Sequence, residues 1–451
     1  MNKYRIDTKE NREYMTSLLN DLLSFGHNFP SPEGGSYYLG DDGTPWKDRP
    51  RETWITCRMA HVYSMGEMLH HKGSKDLVEK AISGLRGELH DDKNGGWYAG
   101  INPDKSILPS KQCYAHAFVI LAASSASLIK AEGADELLKE ALKTYDRYFW
   151  DEDEGLAVDT WDTEFKVLSD YRGINANMHT VEAFLAAADV LDDEKYRIRA
   201  GRIIDRVIGW AKDNNWRIPE HFTKEWKADL MLNKDKPDDP FKPFGATPGH
   251  GIEWARLILQ YALSEFGESD KNINDNDKAA EDKSKAANNK AAEDKSEAAN
   301  NRVRSGEELK KYTSAAKNLY ERAIKDAWNV DGSFGLCYTT DWEGKPVVHD
   351  RMHWTLAEAI NTSAVLFRVT GDEKYADDYA MFLKYLDDKV KDHKNGSWFH
   401  QLDKDNKVIG TVWPGKSDLY HAVQATLIPY NERPGLSIAP SLAETYRAET
   451  Y

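Results

Sequence analysis

The chain has 451 residues, 40% hydrophobic and 30% charged, with a formal net charge of −15. That supplies ample material for a buried core, and the acidic balance argues against nucleic acid or an anionic membrane as the partner. No apolar run reaches membrane-spanning length, the opening MNKYRIDTKENREYM carries no signal-peptide hydrophobic region, and the three scattered cysteines, Cys57, Cys113 and Cys337, read as reduced thiols of a cytoplasmic protein.

Hydrophobic periodicity predicts helices over 11–26, 53–71, 75–90, 113–131, 135–149, 176–192, 194–213, 250–267, 307–328, 353–370, 373–389 and 418–430. Their character alternates. Segments such as His116–Leu128 and Glu182–Val190 are small and apolar nearly all round, as buried helices are. Segments such as Lys195–Ala211 and Asp372–Asp388 keep one charged face, as outer helices do. Glycine–aromatic stretches recur between the pairs, at Gly34–Tyr38, Gly95–Tyr98, Gly332–Gly335 and Gly396–Phe399, and run into turn sequences, so short β-hairpins are expected there. Asp193-Glu-Lys-Tyr196 and Asp372-Glu-Lys-Tyr375 each begin an outer helix. A helix pair plus a loop, repeated about every 60 residues, points to an all-α toroid with a pocket at one end; an open solenoid is the alternative. The whole of 1–451 reads as one catalytic domain interrupted at 270–305. There, residues 278–289 (KAAEDKSKAANN) and 290–301 (KAAEDKSEAANN) form a tandem repeat too polar to bury a core, expected to be disordered or a solvated helix extension.

Four histidines open helices: His179, His250, His353 and His421. Three have a carboxylate three positions away, Glu182, Glu253 and Asp418, and residues at that spacing share a helix face. Three histidine–carboxylate pairs facing one cavity are therefore expected, suited to proton transfer near neutral pH. The bland alternative for each is a satisfied core histidine, with Asp418 a helix cap. Arg58 lies on an apolar helix and needs a partner, either sugar hydroxyls or a core carboxylate such as Glu358. Tyr114 and His116 begin another buried helix and serve either hydroxyl recognition or packing.

Gly410-Thr-Val-Trp-Pro-Gly-Lys-Ser417 matches the phosphate-loop pattern by letter. That loop works through successive backbone N–H groups, and Pro414 has none; no βαβ pattern surrounds it. No HExxH motif, cysteine cluster or calcium-type loop calls for a metal, and no G-x-S-x-G elbow supports a serine hydrolase.

The chain resembles the N-acylglucosamine 2-epimerase superfamily of sugar epimerases and isomerases, from about Tyr14 to Pro429 outside the insertion. The resemblance rests on WITCRMAHVYS (54–64), GGWYAGIN (95–102), NANMHTVEAFLAA (175–187), PGHGIEWARL (248–257), RMHWTLAEAI (351–360) and VWPGKSDLYHA (412–422). It implies an (α/α)6 barrel. Within the superfamily, Cys57-Arg58-Met59, Tyr114-Ala-His116 and Met352-His353-Trp354 are most similar to the aldose–ketose isomerases, in particular the D-mannose isomerase branch. The related sulfoquinovose isomerases tend to have glutamine at His400 and Ser417. The family motif often has Trp where this chain has Gly251, which either widens the pocket or is neutral.

The resemblance implies isomerisation of D-mannose, or a related aldose such as D-lyxose, to D-fructose or D-xylulose through a cis-enediol, with no metal or other cofactor. It implies His421 as the histidine that moves the C2 proton, His250 as the second catalytic histidine, assisting ring opening and proton shuttling between oxygens, and Glu253 as a group that either orients an imidazole by hydrogen bond or takes part in the O1/O2 transfer. Arg58, Asn175 and His179 match sugar-binding positions, with Tyr114, Trp354, Glu358 and Asp418 beside them. The expected partner is a small monosaccharide, handled by a monomer or homo-oligomer. Competing readings are a 2-epimerase with His250 and His421 on opposite faces of C2, a glycoside hydrolase, which needs two carboxylates across the scissile bond, and a non-catalytic sugar-binding protein.

Overall fold

The computed structural model describes residues 2–267 and 288–450. Its helices in chain order are α1 Lys9–Gly26, α2 Thr53–Met68, α3 Ser74–Arg86, α4 Cys113–Leu128, α5 Ala134–Tyr148, α6 Ile174–Leu191, α7 Glu194–Asp213, α8 Pro248–Phe266, α9 Asn288–Ala327, α10 His353–Thr370, α11 Glu373–Tyr385, α12 Tyr420–Leu427 and α13 Ile438–Thr450.

The even-numbered helices form the inner ring. Each packs on the next, from α2 to α4, α6, α8, α10 and α12, and α12 closes the ring against α2. The odd-numbered helices α3, α5, α7, α9 and α11 back the inner helix that precedes them, and α1 backs α12. This is an (α/α)6 barrel. The ring closes tightly because its helices are small-residue rich: in α4 only Tyr114 and Ser127 escape full burial. Outer α5 buries Leu137, Leu138, Ala141, Leu142 and Tyr145 at helical spacing and leaves its charges outside. Asp193 and Asp372 cap α7 and α11, accepting from the backbone N–H of Lys195 and Lys374.

The glycine–aromatic stretches are hairpins, as expected, and they fix where the inner helices begin. Two-residue strands lead directly into four of them, and each pairs with a later loop: Arg51–Glu52 with Gly100–Ile101, Lys111–Gln112 with Thr160–Trp161, Arg172–Gly173 with His221–Phe222, and Arg351–Met352 with Gln401–Leu402. Before α8, Ala246 bridges Thr340. Before α12, the Lys416 N–H donates to the Leu39 carbonyl at 2.9 Å. Six inner N-termini are thus laced around one mouth, which places the first-turn side chains together.

Two of these loops share a buried lysine. Lys111 Nζ reaches Asp91 at 2.9 Å and the Gly95 carbonyl at 2.6 Å. Lys416 Nζ reaches Asp392 at 2.7 Å and the Gly396 carbonyl at 2.6 Å. The lysine of the phosphate-loop lookalike is therefore a buried strut beneath a hairpin.

Several boundaries differ from the sequence reading. The expected helix 418–430 is α-helical only over Tyr420–Leu427, followed by a 3-10 turn Ile428–Tyr430 in which Pro429 interrupts the ladder. The helix expected over 373–389 is α-helical to Tyr385 and then passes into a π-helical turn, Leu386–Val390. A thirteenth helix, α13, crosses α2, α4 and α6; its Pro440 sits in the first turn, where no N–H is needed. Of the twelve-residue repeat, 278–287 lie outside the described residues, whereas the second copy, 290–301, lies within α9, which is described from Asn288.

Candidate active site

At the laced mouth lies a cavity of about 80 Å³. Arg58, Tyr114, Asn175, His179, His250, Glu253, Trp354, Asp418 and His421 all line it. Glu358, fully buried, lies directly behind His421. His116 is elsewhere: it accepts from the Trp97 N–H at 3.1 Å and donates to the Gln112 carbonyl at 2.8 Å, and burial lowers its pKa to about 3. For His116 the packing role holds.

The carboxylate partners are not those that spacing suggested. Only His179 meets its own i+3 neighbour, with Nδ1 at 3.3 Å from Glu182. His250 Nδ1 donates instead to Glu220, on the loop between α7 and α8, at 3.0 Å. His421 Nδ1 donates to Glu358 of α10 at 3.0 Å. Asp418 sits before the first turn of α12, where one oxygen accepts from the Tyr420 N–H at 2.9 Å and the other lies 3.3 Å from Arg58. Arg58 therefore pairs with Asp418, not with Glu358. The physical reason is the closed ring: neighbouring helices reach an inward imidazole more directly than the same helix one turn on.

Arg58 also donates to the Tyr114 hydroxyl at 2.8 Å and lies over the Trp54 and Tyr420 rings. Its charge, helped by the backbone N–H of Tyr420, lowers the Asp418 pKa against the upward push of burial. The pair forms a fixed polar wall.

The floor is a buried charge cluster around Arg256. Its Nε donates to Glu358 at 2.7 Å, and its Nη2 lies 3.6 Å from Glu253 and 3.7 Å from Glu182. Three carboxylates share one guanidinium. Burial pushes Glu182 up, but the His179 hydrogen bond and the Arg256 charge reverse it and lower the pKa. Glu253 goes the other way: burial and the neighbouring Glu358 charge raise it well above the ordinary carboxylate value, and its Oε1 has no hydrogen-bond partner. Glu253 is thus pushed toward its protonated form at the floor of the cavity. By spacing, His179, Glu182 and Glu253, or Glu253, Glu358 and His421, can each hold a metal ion; Arg256 already supplies positive charge to both groups.

Burial favours the neutral form of three of the imidazoles. Burial, reinforced by the charge of Arg58, lowers His421 well below 6.5. Burial lowers His353 and His179 to about 4. With Nδ1 of His421 tied to Glu358, Nε2 is the nitrogen left for the cavity. The Trp354 ring lies between the two catalytic candidates, 5.0 Å from the His250 ring and 5.8 Å from the His421 ring. His353 stacks on His400 at 3.7 Å along one wall. Phe241 and Trp413, in edge contact at 5.4 Å, stand at the cavity with Pro240 and Pro243.

Sequence reasoning missed Glu220, Arg256, Tyr338, Phe241 and Trp413 as parts of this site, and named His400 only through the comparison with sulfoquinovose isomerases. Arg256 had a usable signal, a charge three positions after Glu253 on a buried helix. Glu220 had none, since it stands in a loop. Gly251 faces outward: a Cβ there would meet Ala323 of α9 at 3.6 Å, so its lack of a side chain does not widen the cavity.

The (α/α)6 barrel thus carries at one mouth a small polar pocket lined by two carboxylate-held histidines and Glu253. The profile of the family described as N-acylglucosamine 2-epimerase (GlcNAc 2-epimerase) matches residues 34–298 and 298–425. The chain is 37% identical over 413 residues to the D-mannose isomerase of Pseudomonas cannabina pv. alisalensis, covering 91% of this chain and 89% of that protein. It is 34% identical over 435 residues to the D-mannose isomerase of Thermobifida fusca, covering 96% of each. A crystal structure of a D-mannose isomerase superposes with a TM-score of 0.78 at 25% identity, over 94% of this chain and 98% of that one. The cellobiose 2-epimerase of Spirochaeta thermophila shares the fold, with a TM-score of 0.73 at 16% identity, over 93% and 96%. The chain belongs to the N-acylglucosamine 2-epimerase family, and it is an enzyme of the aldose–ketose isomerase class. Among the described residues no helix is long and apolar enough to cross a membrane.

Proposed function

We propose that the protein interconverts D-mannose and D-fructose without a metal, by proton transfer through an enediol. The observation that carries this reading is that His421 and Glu253 line one cavity with their polar atoms within 4.8 Å of each other, burial shifting the imidazole down and the carboxyl up. His421 Nε2 takes the proton from C2 of the open-chain sugar. The C2 electrons form the C1–C2 double bond, and O1 takes the Glu253 proton. The resulting Glu253 carboxylate then takes the proton from O2, and His421 returns its proton to C1, giving the ketose. Each group ends as it began. Arg256 beside Glu253 offsets the charge it carries between the two transfers. His250 is placed to move the ring-opening proton, and Arg58, Asn175 and His179 to hold hydroxyls.

A free monosaccharide suits the site better than a disaccharide, because Phe241 and Trp413, in edge contact at 5.4 Å, narrow the cavity. D-Lyxose, with one carbon fewer, is the next candidate. A second reading, 2-epimerisation, draws on His250, which has its own carboxylate and stands across Trp354 from His421.

The test is proton NMR of the purified protein with D-mannose in D₂O after chelator treatment. Fructose with some deuterium at C1 is the expected outcome. Glucose as the main early product would move the assignment to epimerase. Activity lost to the chelator and restored by a divalent ion would overturn the metal-free mechanism.

A further inference from the structure

His250 and His421 are each held at Nδ1 by a carboxylate, but the two carboxylates differ. Glu358 gives its second oxygen to Arg256 at 2.7 Å. Glu220 keeps its second oxygen, Oε1, buried and without a hydrogen-bond partner. Its carboxylate is therefore directed at His250, at 3.0 Å.

The loop that carries Glu220 is braced on every side. Arg217 Nε donates to Asp326 of α9 at 2.7 Å, and its Nη1 donates to the Trp342 carbonyl at 3.1 Å. His221, next in sequence, donates from Nε2 to the Pro243 carbonyl and accepts from the Tyr171 hydroxyl, both at 2.8 Å. The Glu220 carbonyl accepts the N–H of Ile174 at 3.1 Å, at the start of the helix bearing Asn175 and His179. A side chain 4% exposed on so tied a loop has little freedom. A flexible surface glutamate would not hold a ring in one orientation; this one can.

We propose that Glu220 is the positioning residue of His250. A carboxylate oxygen accepts, so the imidazole must carry a proton on Nδ1, and its neutral form presents a bare Nε2 to the cavity. When Nε2 takes a proton from a sugar hydroxyl, the imidazolium forms against a carboxylate whose charge is not shared with an arginine. Glu220 touches no substrate; it acts through the ring. The functional half of this inference rests on the isomerase reading, whereas the tautomer does not.

The test uses the full-length protein labelled with ¹⁵N-histidine. In the wild type, His250 is expected as the Nδ1–H tautomer. Glu220→Ala is expected to give a mixture of tautomers and a kcat lower by on the order of 100-fold, with KM for D-mannose changed only a few-fold. Glu220→Gln, which still offers an acceptor oxygen at that place, is expected to restore the tautomer and part of kcat. The backbone tie to Ile174 survives both substitutions, and circular dichroism checks the fold. An unchanged His250 tautomer in Glu220→Ala would overturn the proposal whether or not mannose is the substrate. A tautomer that shifts while kcat does not would overturn the functional half. No turnover of mannose by the wild type would sink the isomerase reading and leave the tautomer result to stand or fall by itself.

Discussion

His421 and Glu358 come from different helices, α12 and α10, and meet at 3.0 Å between Nδ1 and Oε1. The other Glu358 oxygen is held by Arg256 at 2.7 Å. Imidazole, carboxylate and guanidinium thus form one chain across the barrel floor. Replacing Glu358 with Gln keeps the shape and removes the charge. The expected outcome is a kcat lower by about 100-fold with KM within a few-fold, read from initial rates on D-mannose. An unchanged kcat would show that His421 needs no orienting carboxylate.

The pH dependence follows from opposite shifts. His421 is pushed well below 6.5 by burial, so its neutral, proton-accepting form persists as pH falls through 6.5. Glu253 is pushed well above its ordinary value by burial and by Glu358, so its acid form persists as pH rises past the carboxylate range. The limb of kcat/KM carried by His421 is expected below pH 6.5, and an alkaline decline is expected as Glu253 ionises. Glu253→Gln is expected to be slower and to lack the alkaline limb. A profile whose alkaline limb is unchanged in that variant would remove Glu253 from the proton path.

Gly251 sits inside α8 with ordinary space above it, the nearest side-chain atom being Ala323 Cβ at 3.6 Å. Gly251→Ala is expected to raise stability by about 0.5–1 kcal/mol and to leave kcat unchanged, because the position faces α9. Urea denaturation and the mannose assay check the two halves. A changed KM would mean that this position does shape the pocket.

Lys416 is fully buried and bonded to Asp392, the Asp41 carbonyl and the Gly396 carbonyl. Lys416→Met would strand Asp392 and is expected to cost about 3–5 kcal/mol, measured by urea denaturation. ATP is expected to leave the melting temperature of the wild type unchanged. A clear upward shift with ATP would restore the phosphate-loop reading that Pro414 argues against.

Much of the architecture was legible because helix pairs announce themselves by period: α4 is apolar all round and α5 is apolar on one face. The cavity was legible because its side chains sit in the first turn of inner helices, where Gly, Asn, Pro and Asp mark the entry. The pairing of charges was not. Spacing along a helix gave His250 to Glu253 and His421 to Asp418, whereas the ring gives them Glu220 and Glu358. Those partners lie 30 and 63 positions away, on the loop before α8 and on the neighbouring helix α10, and only tertiary packing brings them near. The C-terminal α13 was missed because it carries Pro440 and lies beyond the repeating pattern.

The measurement that goes to the centre is the fate of the C2 hydrogen. D-Mannose deuterated at C2 is followed by NMR in H₂O, with the wild type and with His421→Ala. The expected result is fructose with part of the deuterium at C1 for the wild type, and a rate lower by on the order of 1,000-fold for a variant that still binds mannose. Conversion by His421→Ala at close to the wild-type rate would contradict the assignment of His421 as the base.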